Sequence, residues 1–189
     1  MRRTTMIVVC TFALALCAKS VGAQSSAPDT LKVDYFDNAN IAGAPDGKLR
    51  ITNPGTSGGG VCAAIFVFDV NQELSECCSC YVSPNGLRKL SVNTDLTSSP
   101  LTGVTLHTGV IEVVSTKANG RSCPLPSKLH PTPSVRAWVT HIQDSTFTIT
   151  EAPSQDSTLS SREQNDLQAQ CEAIILGTHN GICTCGTGD

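Results

Sequence analysis

Cysteine placement constrains this chain more than any other feature. Residues 1–23 (MRRTTMIVVCTFALALCAKSVGA) read as a secretion signal. Arg2 and Arg3 precede an apolar run from Met6 to Ala18, and small residues at Val21 and Ala23 mark cleavage after Ala23. Removing that segment takes Cys10 and Cys17 from the ten cysteines. An even set remains: Cys62, Cys77, Cys78, Cys80, Cys123, Cys171, Cys183 and Cys185. In an exported chain an even set reads as a disulfide framework, because the thiols meet an oxidising compartment. A secreted or periplasmic protein, working on the cell-envelope exterior, is expected.

Geometry narrows the pairing. Cysteines that are adjacent, or one residue apart, rarely reach the Cβ separation of a relaxed disulfide. If Cys77, Cys78 and Cys80 do not bond one another, nor Cys183 with Cys185, every remaining connectivity shares one property. At least one of Cys183 and Cys185 is bonded within the Cys77–Cys80 segment, so the C-terminal tail is stapled to the first half of the domain.

The same residues have a second reading as a metal site, since Cys-Cys-x-Cys and Cys-x-Cys are dense thiolate arrays and His179 precedes Cys183. Structural zinc sites usually place two to four residues between ligands, so disulfides are the stronger expectation and no cofactor is implied. A calcium reading rests on Asp34, Asp37, Asn38, Asn40 and Asp46. These supply oxygen ligands but lack EF-hand spacing, and Asx-rich turns also explain them. A hydrolase reading would draw on His107, His141 and His179 with Asp144 and Glu151. No Gly-x-Ser-x-Gly or His-Glu-x-x-His signature anchors it, so no catalytic residue is assigned.

Without its signal the chain keeps 166 of 189 residues, with 10 Lys and Arg against 16 Asp and Glu, a net charge of −6. That length suits one domain with a substantial core, which the disulfides supplement. No Lys or Arg run offers a phosphate-binding patch, which excludes a nucleic-acid partner. Nothing after Ala23 approaches the ~18 consecutive apolar residues of a transmembrane span.

Residues 24–31 read as a flexible leader and 32–189 as a single disulfide-rich domain. Cys62–Val70 is apolar on both faces, the pattern of a central buried strand. Pro84-Asn85-Gly86 suggests a hairpin joining Cys80–Val82 to Leu87–Val92. Thr108-Gly109 suggests a turn between Val104–His107 and Val110–Ser115. Val135–Ile142 and the alternating Thr146–Thr150 read as further strands, with Trp138 expected in the interior and Phe147 and Ile149 sharing a face. Asn53–Gly60 reads as a flexible loop. The proline-rich stretch 119–134 must cross the surface, pinned by Cys123. Ser160-Ser161-Arg162-Glu163 is a capping box, followed by Leu167, Cys171 and Ile174 on one helical face. That helix is expected on the edge or end of the sandwich. The fold expected is therefore mainly β: a disulfide-stabilised antiparallel β-sandwich with one C-terminal α-helix.

Tyr35-Phe36-Asp37-Asn38-Ala39-Asn40, Ile51-Thr52-Asn53-Pro54-Gly55, Glu76-Cys77-Cys78-Ser79-Cys80 and Gly181-Ile182-Cys183-Thr184-Cys185-Gly186 together resemble a group of exported bacterial cysteine-rich proteins. The resemblance spans nearly all of the chain after Ala23. It implies a bacterial, envelope-external setting and transfers no catalytic residue. A non-enzymatic module is expected, structural, surface-associated or binding a partner such as an envelope or extracellular protein or a glycan. The alternatives are a secreted hydrolase and a calcium or metal binder.

Overall fold

The computed structural model describes residues 30–177 and 180–186. The expected signal with its Ala23 cleavage point, residues 24–29 of the leader, and His179 lie outside them. The strands are β1 (Leu31–Phe36), β2 (Lys48–Thr52), β3 (Val61–Phe68), β4 (Leu74–Val82), β5 (Leu87–Ser91), β6 (Gly109–Lys117), β7 (Arg136–Gln143), β8 (Thr148–Pro153) and β9 (Gln155–Ser157). A five-residue π-turn, Val92–Leu96, follows β5, and α1 spans Ser161–Gly177.

The strands form two sheets, β4-β3-β6-β1-β9 and β5-β2-β7-β8, with every pair antiparallel. This is the expected antiparallel sandwich with a C-terminal helix. Period-two alternation builds its main core: Ile65 and Val67 of β3, Leu49 and Ile51 of β2, and Val139 of β7 meet between the layers. β3 is buried along all but its last residue. Its other face, through Ala64 and Phe66, joins Leu31, Val114, Leu167, Cys171 and Ile174 in a second core under α1.

That second core corrects the expected place of the helix. The outward side chains of β3, β6 and β1 make an apolar layer, and α1 covers that face of the five-stranded sheet. Its cap is the expected one: Glu163 N–H donates to Ser160 Oγ at 3.0 Å. The leader also ends sooner than expected. Thr30 O accepts from Ser115 N–H at 2.8 Å, and Leu31 is a buried residue of β1.

The Pro84-Asn85-Gly86 turn does not close a hairpin. β4 pairs with β3, whereas β5 pairs with β2 in the opposite sheet. The physical reason is Asn53, which receives the turn at the end of β2. Asn85 N–H donates to Asn53 O at 2.9 Å, and Asn53 N–H donates to Gly86 O at 3.2 Å. The turn thus carries the chain across the sandwich. Asn53 is fully buried, and its side chain donates to Gly59 O and accepts from Gly55 N–H, so the 53–60 loop is organised around one amide.

Two other strand expectations fail locally. Val104–His107 is not a strand: Leu106 is buried but Val104 is 67% exposed, and Ala39 N–H donates to His107 O. Of Thr146–Thr150 only Thr148 onward is strand: Phe147 lies in the turn before β8, at φ 54°, so it shares no strand face with Ile149, which is 59% exposed on β8. The Asp144 side chain shapes that turn by accepting from Thr146 N–H and both threonine hydroxyls, which holds its carboxyl below the usual range. The proline-rich stretch runs beside β6, where Lys117 N–H donates to His130 O and Thr132 N–H to Ser115 O.

Candidate functional site

All eight cysteines of the even set form disulfides: Cys62–Cys123, Cys77–Cys171, Cys78–Cys183 and Cys80–Cys185. Alternation along β4 explains the Cys-Cys-x-Cys motif. Cys77 faces α1, while Cys78 and Cys80, two residues apart, both face the inter-sheet core. The tail presents Cys183 and Cys185 at the same spacing, with Cα–Cα distances of 5.2 and 5.4 Å to their partners. Both tail cysteines, not just one, are bonded to the cluster. The matching Cys-x-Cys spacings are the sequence signal for this ladder, and pair exclusion alone does not use it.

The tail seals the side of the sandwich where β4 and β5 end their sheets. Ile182 bridges Cys77 in parallel, and Cys77 N–H donates to Gly181 O at 2.9 Å. Gly181 sits at φ +86°, and a Cβ there would lie 2.7 Å from Ile174 Cγ2. Arg88 on β5 donates to Tyr81 O and Cys185 O, joining β4, β5 and tail.

The calcium candidates do not converge. Asp34 pairs with His141, and Asp37 accepts from Asn38 N–H. Asn38 donates to Ile142 O, and Asn40 donates to Thr97 Oγ1 and Leu106 O. Asp46 pairs with Lys48 and accepts from Ser91 Oγ–H and Asn93 N–H. Burial works to raise its pKa, but these bonds outweigh it and hold the carboxyl below the usual range. No group of three or more His, Cys, Asp or Glu suited to a metal ion occurs among the described residues.

The histidines are also dispersed. His107 Nδ1 lies 2.8 Å from Ala39 O and ties two loops together. His141 on β7 is buried, with Nε2 3.3 Å from Asp34 Oδ1 on β1 and its ring 4.2 Å from that of Tyr35. Its Nδ1 and Asp34 Oδ2 have no hydrogen-bond partner among the described residues. The pair links the two sheets. Glu151 is engaged on the sheet surface by Arg50.

What the structure does gather is charge on the outer face of the four-stranded sheet. Register aligns Lys89 on β5, Arg50 on β2, Trp138 on β7 and Pro153 on β8 in one row across the strands. Lys48 occupies the neighbouring row opposite Ser91, and Arg136 lies opposite Thr52 on the other side. Trp138 is therefore not in the interior, contrary to expectation. Ala137 and Val139 take the inward positions of β7, so parity turns the half-buried indole outward beside exposed Arg136. Strand parity with Arg136 was the available signal. Along the β5 edge runs an open groove of about 520 Å³, lined by Lys48, Lys89, Ser91, Thr94, Asp95 and Thr184.

The fold and this lattice define the class: a disulfide-locked antiparallel β-sandwich with a helix over one sheet. Comparison with protein-family models, with curated proteins and with solved structures finds no match. No helix among the described residues is long and apolar enough to cross a membrane.

Proposed function

We propose that this chain is an exported, non-enzymatic module of the bacterial cell-envelope exterior. It presents a rigid surface to a partner. The observation that carries the reading is the engagement of all eight cysteines of the even set in four disulfides, three of them anchored on β4. Such a lattice persists where the compartment is oxidising and is rare in the cytosol. The engagement of His107 and Glu151 in structural bonds supports a binding or scaffolding role over hydrolysis.

The test is expression of the full chain in a bacterial host, followed by fractionation, N-terminal sequencing and intact mass under non-reducing conditions. The expected product lies outside the cytoplasm, begins at Gln24 and lacks eight hydrogens relative to the reduced chain. It turns over no generic ester, peptide or glycoside substrate. Cytoplasmic retention with free thiols would overturn the export reading. Turnover abolished by His141→Asn would replace the binding reading with the hydrolytic one.

A further inference from the structure

We propose that the outer face of β5, β2 and β7 binds a uronate-bearing polysaccharide. One sugar ring lies on Trp138, and its carboxylates meet Arg136, Arg50 and Lys89. The proposal rests on the reading of the chain as an exported binding module and names the partner of that surface.

Charge complementarity is the first argument. The chain as a whole is acidic, with 16 Asp and Glu against 13 Lys and Arg. Yet one sheet face carries Lys48, Arg50, Lys89 and Arg136 within neighbouring rows. Two of these are engaged locally, Lys48 by Asp46 and Arg50 by Glu151. Lys89 and Arg136 are exposed and have no carboxylate partner among the described residues. They stand one row apart, on strands separated by two interstrand steps of about 4.8 Å each. An extended polyanion can therefore meet both without bending. Two unpaired, exposed cations on one face of an acidic molecule attract anionic partners and raise their encounter rate.

The choice of a glycan over an acidic peptide comes from the middle of the row. Trp138 sits between Arg50 and Pro153, register neighbours on either side. An outward aromatic on a sheet face gives the apolar face of a sugar ring a flat platform with a polar handle. A guanidinium pairs a carboxylate through two parallel N–H donors. The adjoining groove is lined by the hydroxyl-bearing Ser91, Thr94 and Thr184, by two lysines and by Asp95, whose carboxylate already accepts from Ser91 N–H and Thr184 Oγ1–H, a polar lining that suits sugar hydroxyls better than apolar side chains. An acidic peptide held with equal affinity would need an apolar anchor pocket as well. The cavity beside Trp138 is only about 80 Å³.

Trp138 is the single tryptophan of the chain, so emission excited selectively from tryptophan, apart from Tyr35 and Tyr81, reports on this face alone. The oxidised, exported protein is titrated with oligogalacturonate, a neutral dextran oligosaccharide and poly-L-glutamate, at low and at physiological ionic strength. Saturable change in emission is expected with oligogalacturonate, weakened by salt, and none with dextran. Lys89→Gln combined with Arg136→Gln should weaken oligogalacturonate binding about tenfold, the loss of two charge-assisted contacts. Glu151→Gln releases Arg50 and should tighten binding, a gain that a misfolded variant would not produce. The proposal is overturned by no saturable response to oligogalacturonate, or by equal binding of dextran. Poly-L-glutamate binding as tightly, or a double variant of unchanged affinity, overturns it too. A protein that is exported and oxidised yet ignores oligogalacturonate loses this site and keeps the broader reading.

Discussion

Glu76 and Glu112 are carboxyls that folding places where charge is unwelcome. Burial pushes Glu76 up to about 7 against the single opposing bond from Ser99 N–H. Burial, with the Glu163 charge nearby, pushes Glu112 to about 7 as well. One oxygen of each has no hydrogen-bond partner among the described residues. The ordinary glutamate value is 4.5, so between pH 4.5 and 7 the folded protein holds protons that the unfolded chain has released. Stability is therefore fullest below the lower value and declines as pH rises through the upper one. Melting temperature measured across that window should fall with rising pH, and Glu76→Gln should flatten part of the slope. A flat profile for the native protein would refute the assignment. Asn53 is the other decisive single residue. Asn53→Ala would strip a partner from the buried Val82 O and loosen the Gly59 O and Gly55 N–H bonds of the loop, and should cost about 2–3 kcal/mol by denaturant titration.

At the scale of elements, legibility follows how local the determining interactions are. β3 and α1 were readable because an unbroken apolar run and a capping box carry their own signals. β1 was not, since LKVDYF mixes charge into the strand, and KLRIT of β2, though it alternates, is only five residues long. Lys32 is buried against Asp156, and Asp34 against His141, partners more than a hundred residues away in sequence. The hairpin failed for the same reason: Pro84-Asn85-Gly86 has hairpin chemistry, but Asn53 decides which sheet receives β5. Of the surface now assigned to binding, the cation-bearing strands needed the sheet register, although parity alone put Trp138 beside Arg136. α1 offers a direct test of the second core. Leu167 is 1% exposed and packs among Phe66, Val114 and Ile174. Leu167→Ala should destabilise by about 2–4 kcal/mol, read as a lowered denaturant midpoint with Cys77–Cys171 intact by peptide mapping. A loss under ~1 kcal/mol would mean that α1 is held by its disulfide alone.

For the whole molecule, two of the four disulfides are redundant in chain entropy, and that redundancy is measurable. Cys78–Cys183 and Cys80–Cys185 each close a sequence separation of 105 residues between the same two segments. Cys77–Cys171 already joins β4 to the chain just before the tail, so on the loop-closure account the first ladder bridge closes a ring of about 14 residues and stabilises by roughly 3 kcal/mol through the unfolded ensemble. Once one is formed, the second closes only the small ring between two Cys-x-Cys motifs and restricts the unfolded chain little further. Replacing Cys78 and Cys183 by Ala should thus cost about 1–2 kcal/mol, chiefly from lost packing of buried sulfur. The Cys80/Cys185 pair should behave alike. Removing both pairs should cost more than the sum of the two losses by about 2–4 kcal/mol, because only then is the tail freed from β4. Denaturant unfolding of the native protein, the two pair-deletion variants and the quadruple variant closes the cycle. Additive losses would show that the ladder acts through local packing at the sealed edge, and that covalent closure of the chain on itself contributes nothing beyond it.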